Sequence, residues 1–281
     1  MSSLLKRALQ NQMQAFFSPL DAVLRGDDPD AVHDMRVASR RLQEILQVVL
    51  PKTDDRADVL GEIRKARRLQ TLARDVDVVI EIIGNSEQEE VTSDLDRGVK
   101  LLQTHLRSSR KKIQADLREG LERLKLRDSK IRLEALLDEC FSDGPNRETV
   151  VKRIASKLTR REEKFREASA LARKTRLPKD LHKVRISAKR LRYILEVAEG
   201  FQTHNVEEQI SRLKVLQETL GKWHDLEVLE DILIDFCSEK RGIRRHTSAF
   251  RALYGLILDA RKDKADYVSA FLEADEVGEL R

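Results

Sequence analysis

Proline, glycine and aromatic residues are scarce in this chain of 281 residues, which has five prolines, 11 glycines and 4 % aromatics. An all-β protein needs a turn about every dozen residues and a core rich in aromatic side chains, so the scarcity excludes one. No apolar run approaches the ~20 residues that cross a bilayer as a helix. The start, MSSLLKRALQNQMQAFF, is too interrupted by polar residues for a signal-peptide core. A soluble, cytoplasmic chain with no membrane partner is expected. Cys140 and Cys237 are the only thiols, and neither sits in a C-x-x-C or Cys/His spacing. They read as packed side chains rather than as a disulfide or a metal site. Charge of one sign is also lacking, because 54 Lys+Arg face 49 Asp+Glu for a net +5. Overall charge therefore identifies no partner.

What is present is helical. The 40 % apolar residues suffice for a core, and the 37 % charged residues fit long amphipathic helices with solvated faces. Apolar residues recur at helical spacing over 2–25, 30–50, 55–83, 88–126, 128–142, 147–175, 179–200, 206–238 and 244–273. Pro29, Pro51, Pro145 and Pro178 fall at boundaries, where a missing N–H is harmless. Gly26, Gly84, Gly144, Gly200 and Gly242 fall at or near helix ends. The clearest break, Ser142 to Asn146, lies near the midpoint and divides the chain into halves 1–143 and 147–281.

The two halves repeat each other. Ala31-Val32-His33-Asp34-Met35-Arg36-Val37-Ala38-Ser39-Arg40-Arg41-Leu42 aligns without gaps on Asp180-Leu181-His182-Lys183-Val184-Arg185-Ile186-Ser187-Ala188-Lys189-Arg190-Leu191. Both read H-x-x-R-x-x-x-(R/K)-R-L. Arg74-Asp75-Val76-Asp77-Val78 matches His224-Asp225-Leu226-Glu227-Val228 at an offset one residue larger. A duplicated helical unit is the physical reading.

At 100° per residue, His182, Arg185, Lys189 and Arg192 share an arc of about 80°, while Val184, Leu191, Ile194 and Leu195 face the other way. His33, Arg36 and Arg40 reproduce this stripe in the first half, with Gln43 in the place of Arg192. The next helical segment repeats the spacing as Arg64, Arg67, Thr71 and Arg74, matched by Lys214, Gln217, Gly221 and His224. Antiparallel neighbours would bring these ridges to one groove. Local charge agrees, since Arg147 to Arg192 holds 17 Lys or Arg against five Asp or Glu.

Facing cationic ridges repel and resist desolvation, so their retention points to a bound anion. Arginine offers a planar fork to phosphate oxygens and lysine a point charge. A histidine among cations should resist protonation until a polyanion arrives, so acid should strengthen binding. A single basic residue on a helix is ordinarily a solvated face, and ion pairs one turn apart could absorb several of these charges. Two stripes of the same spacing without an internal acid argue against that reading. Asp75 and Asp225 read as structural rather than catalytic, orienting arginines such as Arg41 and Arg190 or capping local charge, and Trp223 reads as core.

The paired segments "VHDMRVASRRL" and "LHKVRISAKRLRYIL", with "ARDVDVV" and "LQETLGKWHDLEVL" in the same order, resemble the CHAD family, the conserved-histidine α-helical domains. The resemblance implies an all-α fold of two antiparallel four-helix bundles related by a pseudo-twofold axis, with a basic central channel that binds inorganic polyphosphate. It carries to His33, Arg36, Arg40, Arg41, Arg74, His182, Arg185, Lys189, Arg190, Arg192, Lys214 and His224; the ridge spacing adds Arg64 and Arg67. Gln43 and Thr71 depart from the pattern and suggest a weaker or narrower first-half groove. Family members are often fused to a triphosphate-tunnel catalytic domain, whose strands no segment here offers, so a stand-alone binding module is expected.

The expected function is non-catalytic binding of long polyphosphate chains, without a cofactor, in the cytoplasm and at polyphosphate granules. Phosphate or sulfate would serve as surrogates. Two rivals remain at this point. A metal-dependent phosphohydrolase of the helical HD type could use His182, His224-Asp225 and Asp231, although Arg74 at the duplicated position cannot ligate a metal. Non-specific nucleic-acid binding would fit a basic groove, although the ridges lack aromatic residues for stacking bases, and no specific nucleic acid is expected.

Overall fold

The computed structural model describes residues 2–26, 28–85, 93–142, 146–200, 206–238 and 247–274, and among them it contains helices and no strand. In order these are α1 (Ser2–Phe17), α2 (Leu20–Arg25), α3 (Pro29–Val49), α4 (Asp54–Leu69), α5 (Thr71–Asn85) and α6 (Ser93–Arg123). They continue with α7 (Leu126–Ser142), α8 (Arg147–Thr175), α9 (Pro178–Gly200), α10 (Glu207–Ser238) and α11 (Thr247–Glu273). The all-α expectation holds. No helix among the described residues is long and apolar enough to cross a membrane.

Local chemistry explains most boundaries. Asp28 caps α3 by accepting from the N–H groups of Asp30 (2.9 Å) and Ala31 (3.2 Å), with Pro29 at the first helical position. Thr53 caps α4 and Asn146 caps α8 in the same manner. Gly26 ends α2 with φ +77° and packs so closely on Gln114 that a Cβ would stand 2.3 Å from its Cδ.

Two expected helices divide. The span 2–25 breaks at Ser18–Pro19, because proline has no N–H to give and its ring clashes with the preceding turn. The span 55–83 breaks at Gln70, whose wholly buried side chain donates to Met35 Sδ at 2.9 Å. A buried amide anchored to α3 thus marks where α4 ends and α5 begins. Residues 86–92, 143–145 and 239–246, where parts of the expected spans 88–126 and 244–273, the central break, Gly144, Pro145 and Gly242 fall, lie outside the described residues.

Two apolar cores organise the helices. The larger joins α1, α2, α3, α4, α7, α8 and α9 with the first half of α10, where Trp223 is buried as expected. A smaller one is built from α5, α6, the second half of α10 and α11, and includes Val79, Leu102, Leu233 and Leu253. Each half of the sequence supplies helices to both cores, and α3 packs on α9, α5 on α10 and α6 on α11. Cys237 is buried in the smaller core, Cys140 is half-buried beside the larger, and both are free thiols. Leu69, in the last turn of α4, is set apart from both cores. It lies at the surface against Gly120, where a Cβ would stand 2.9 Å from its methyl carbons.

One polar clamp fixes α8 against α3. Glu44 is 6 % exposed and receives Lys157 Nζ at 2.6 Å and Arg161 Nη2 at 2.9 Å. Removing one side of such a cluster strands the other in a poor dielectric. Glu44→Ala should cost about 2–4 kcal/mol of unfolding free energy, measured by urea denaturation. A loss under about 0.5 kcal/mol, the range of surface pairs, would show that the clamp is not structural.

Candidate functional site

The apolar faces of α3 and α9 determine where their polar faces go. Val32, Met35, Ala38 and Leu42 on α3, and Leu181, Val184, Ala188 and Leu191 on α9, are all buried in the larger core. Because the two helices pack on each other, the opposite edge of each carries its cationic stripe to the same place. Arg36 lies in the field of Arg40, Arg67 and Arg185, and Lys189 in that of Arg185, Arg40 and Arg192. His33 on α3 feels both Arg74 on α5 and Lys189 on α9. His182 and His224 approach to 5.3 Å between ring centroids. Residues some 150 positions apart in the chain thus form one cluster.

Burial, reinforced by like charge, weakens every cation for which a shift is resolved there. Desolvation first, then Arg40, pushes the Arg36 guanidinium down to about 10. The same cause, followed by Arg40 and Arg190, brings Arg67 to about 10. Lys189 falls to about 6 through burial and the charges of Arg185 and Arg40. His224 falls to about 3, and His33 and His182 are lowered, in each case by burial before the neighbouring cations. At neutral pH Lys189 and the histidines of the cluster are therefore largely without charge.

Asp75 and Asp225 are the carboxylates of this cluster. The arginines they face are not Arg41 and Arg190, the examples the sequence suggested, but the cations of the cluster itself. Asp75 faces Arg36 and Arg185, while Asp225 faces Arg185, Arg74 and Lys189. Burial raises both carboxyls, and the two also repel each other at Asp75. The turn that begins α5 and the matching stretch of α10 aim them inward, a placement that helical period alone does not determine.

The departures from the repeat hold the first-half arginines in place. Arg36 Nη1 donates to the Arg67 carbonyl (2.8 Å) and to Thr71 Oγ1 (3.0 Å), and Arg67 Nη1 donates to Gln43 Oε1 (2.9 Å). In the second half Gly221 offers no such hydroxyl, and Gln217 donates instead to the Ala188 carbonyl (3.1 Å). Arg185 Nε is buried without a hydrogen-bond partner among the described residues.

Other expected site residues lie at the margin of this centre. Arg41 and Arg192 share Glu196, each at 3.3 Å, and both lie over the Tyr193 ring. Arg190 borders Arg161 and Glu44, and also Arg40. Arg64 is exposed near Arg67, and Lys214 is exposed on α10. Asp231 has Glu227, Glu230, Asp235 and Lys264 as its charged neighbours, away from His182 and His224. No three His, Cys, Asp or Glu side chains gather in metal-binding geometry among the described residues. Sequence reasoning missed Glu196 and Tyr193; the i, i+4 spacing of Arg192 and Glu196 was the available signal.

Comparison with known proteins places these observations in a family. A family model described as CHAD domain matches residues 7–234. Two uncharacterized proteins from different strains of Mycobacterium tuberculosis are 27 % identical over 282 aligned positions, covering 95 % of this chain and 51 % of each relative. The chain thus spans about half the length of the curated relatives it matches. Among solved structures, the CHAD domain from the plant Ricinus communis superposes with a TM-score of 0.67 at 21 % identity, covering 100 % of this chain and 94 % of that one. PptA from Streptomyces chartreusis gives 0.62 at 16 % identity, covering 98 % of each chain. Both share the fold.

A buried cluster of like charges carries a stability cost that a neutral residue would relieve. The lowered folded-state value of Lys189 means that unfolding takes up a proton below pH 10.5, so its penalty grows as pH falls from there to about 6 and then levels off. Lys189→Met should raise stability at pH 7 by about 1–3 kcal/mol and flatten its pH dependence, as followed by thermal melts between pH 6 and 9. A destabilised variant would contradict the assigned environment.

Proposed function

We propose, from the premise that this chain belongs to the CHAD domain family, that it binds inorganic polyphosphate in the groove along α3 and α9. One observation carries the reading: two cationic rows, distant in sequence, converge where burial and mutual repulsion hold Lys189 near 6. A linear polyanion supplies what such a row lacks, namely closely spaced negative charge without bulk. Arginine forks from Arg36, Arg40, Arg74 and Arg185 meet phosphate oxygens, and Lys189 and the histidines gain protons as the anion arrives. Release of counterions from the polymer adds to affinity and makes it fall with salt.

The role is holding rather than cleaving. Asp75 and Asp225 each face arginines, which suits them to orient guanidinium groups. The reading places the protein where the polymer accumulates, in the cytoplasm and at polyphosphate granules.

Replacing Arg36, Arg40, Arg185 and Lys189 together with alanine should raise the dissociation constant for long-chain polyphosphate at least about a hundredfold, with a shallower dependence on salt. Helical content by circular dichroism should not change. Parent-like affinity in that variant would refute the reading.

Binding should also take up protons. Burial and its cationic neighbours hold Lys189 near 6, and a bound polyanion would return it toward its ordinary 10.5, so affinity falls as pH rises between those values. Calorimetry at pH 7.5 in two buffers of different ionisation enthalpy should report proton uptake that is reduced in Lys189→Met. Equal uptake in the two proteins would assign it elsewhere.

A further inference from the structure

Cationic lining does not stop at the α3/α9 groove. Arg190 also borders a cavity of about 460 Å³ between α8 and α9, with Arg161, Lys164 and Lys183 in its wall and Glu167 as its one acid. Arg161 and Lys164 pass directly into a second cavity of about 700 Å³ enclosed by α3, α4 and α8. Nine lysines or arginines line that second cavity, and no aspartate or glutamate does. Along α8 alone, Lys152 to Lys164 extend the basic wall by roughly 18 Å at 1.5 Å per residue.

Part of this charge has a structural use. The last turn of α3 carries no basic residue, and its carbonyls are met from outside. Arg153 Nη1 reaches the carbonyls of Val48, Val49 and Leu50 at 3.3–3.4 Å, and Arg56 Nη1 reaches that of Leu50 at 2.9 Å. Lys157 and Arg161 are held by Glu44, and Lys152 pairs with Glu148 at 2.6 Å. Lys52, Arg64, Arg160 and Lys164 exceed these needs, since none forms an ion pair among the described residues. The Nε atoms of Arg56 and Arg161 are buried there without hydrogen-bond partners. Burial lowers Arg56 and also lowers Lys157, despite its carboxylate neighbour. A helix C-terminus calls for two or three donors, and the cavity offers a surplus.

We propose that the α3–α4–α8 cavity is a second phosphate-binding stretch, joined to the α3/α9 groove through Arg161 and Arg190, so that one long polyphosphate chain occupies both. The inference rests on the polyphosphate reading above and extends it to chain length. A triphosphate fills either stretch by itself, whereas a long chain that enters one is delivered to the other at high effective concentration. The protein thereby selects long polymer over short without any contact to a chain end.

The test uses Lys52→Ala, Arg160→Ala and Lys164→Ala in one chain, all at exposed positions, beside the parent and the groove quadruple variant. Calorimetry with sodium triphosphate and with long-chain polyphosphate at one fixed salt concentration reads affinity and stoichiometry. The parent should bind two triphosphates and the triple variant one. The triple variant should also lose at least about tenfold in affinity for the long chain, with a shallower salt dependence. Parent-like stoichiometry and long-chain affinity in the triple variant, with binding lost in the groove quadruple, would overturn the second stretch and leave the groove assignment standing. Undiminished long-chain binding in both variants would overturn the polyphosphate reading itself. Complete loss of triphosphate binding in the triple variant would overturn the two-stretch arrangement by making the α8 cavity the sole site.

Discussion

Packing of α3 on α9 forces like charges together. The buried faces of these helices, Val32, Met35 and Leu42 against Leu181, Val184 and Leu191, leave the cationic stripes no freedom to separate. Hydrophobic burial is worth about 25 cal/mol per Å² and accumulates over the whole interface, while repulsion acts only along one edge. The first therefore outweighs the second, and the cationic side chains remain together. Burial first, and the neighbouring cations after it, carry Lys189 and His224 far below their ordinary values.

The repeated stretches of the two halves hold their cations differently. In the first, Thr71 and Gln43 accept from Arg36 and Arg67 and so hold two guanidinium groups in fixed positions. In the second, the equivalents are Gly221 and Arg192, and Arg192 is drawn to Glu196 and Tyr193 rather than to the groove. Arg185 keeps an unpartnered Nε beside Asp225 and Asp75. One wall is held by neutral acceptors, and the other keeps a buried donor without a hydrogen-bond partner among the described residues. The substitutions that looked like weakening of the first half are the ones that order it.

Much of the site was legible because helical period and internal repetition are both properties of spacing. His33, Arg36 and Arg40 could be set on one face of a helix, and matched to His182, Arg185 and Lys189, without coordinates. Breaks within helices were less legible. Pro19 was a visible signal, but Gln70 interrupts a continuous apolar period only because its amide finds Met35 Sδ on another helix. The roles of Asp75 and Asp225 were likewise hidden, since their partners come from α3 and α9. The basic cavity on α8 left a trace in the charge density of residues 147–192, yet no local pattern separates its capping cations from its surplus ones.

Sequence by itself determined the helical class, the duplicated unit and the membership of each cationic stripe, because these depend on residues within a few turns of one another. Tertiary structure alone decided that the stripes converge, that Glu196 and Glu44 engage some cations while others remain without an ion pair, and that both halves contribute to both cores. Electrostatic interaction depends on distance through space and on exclusion of water. Neither quantity is set until helices far apart in the chain have packed.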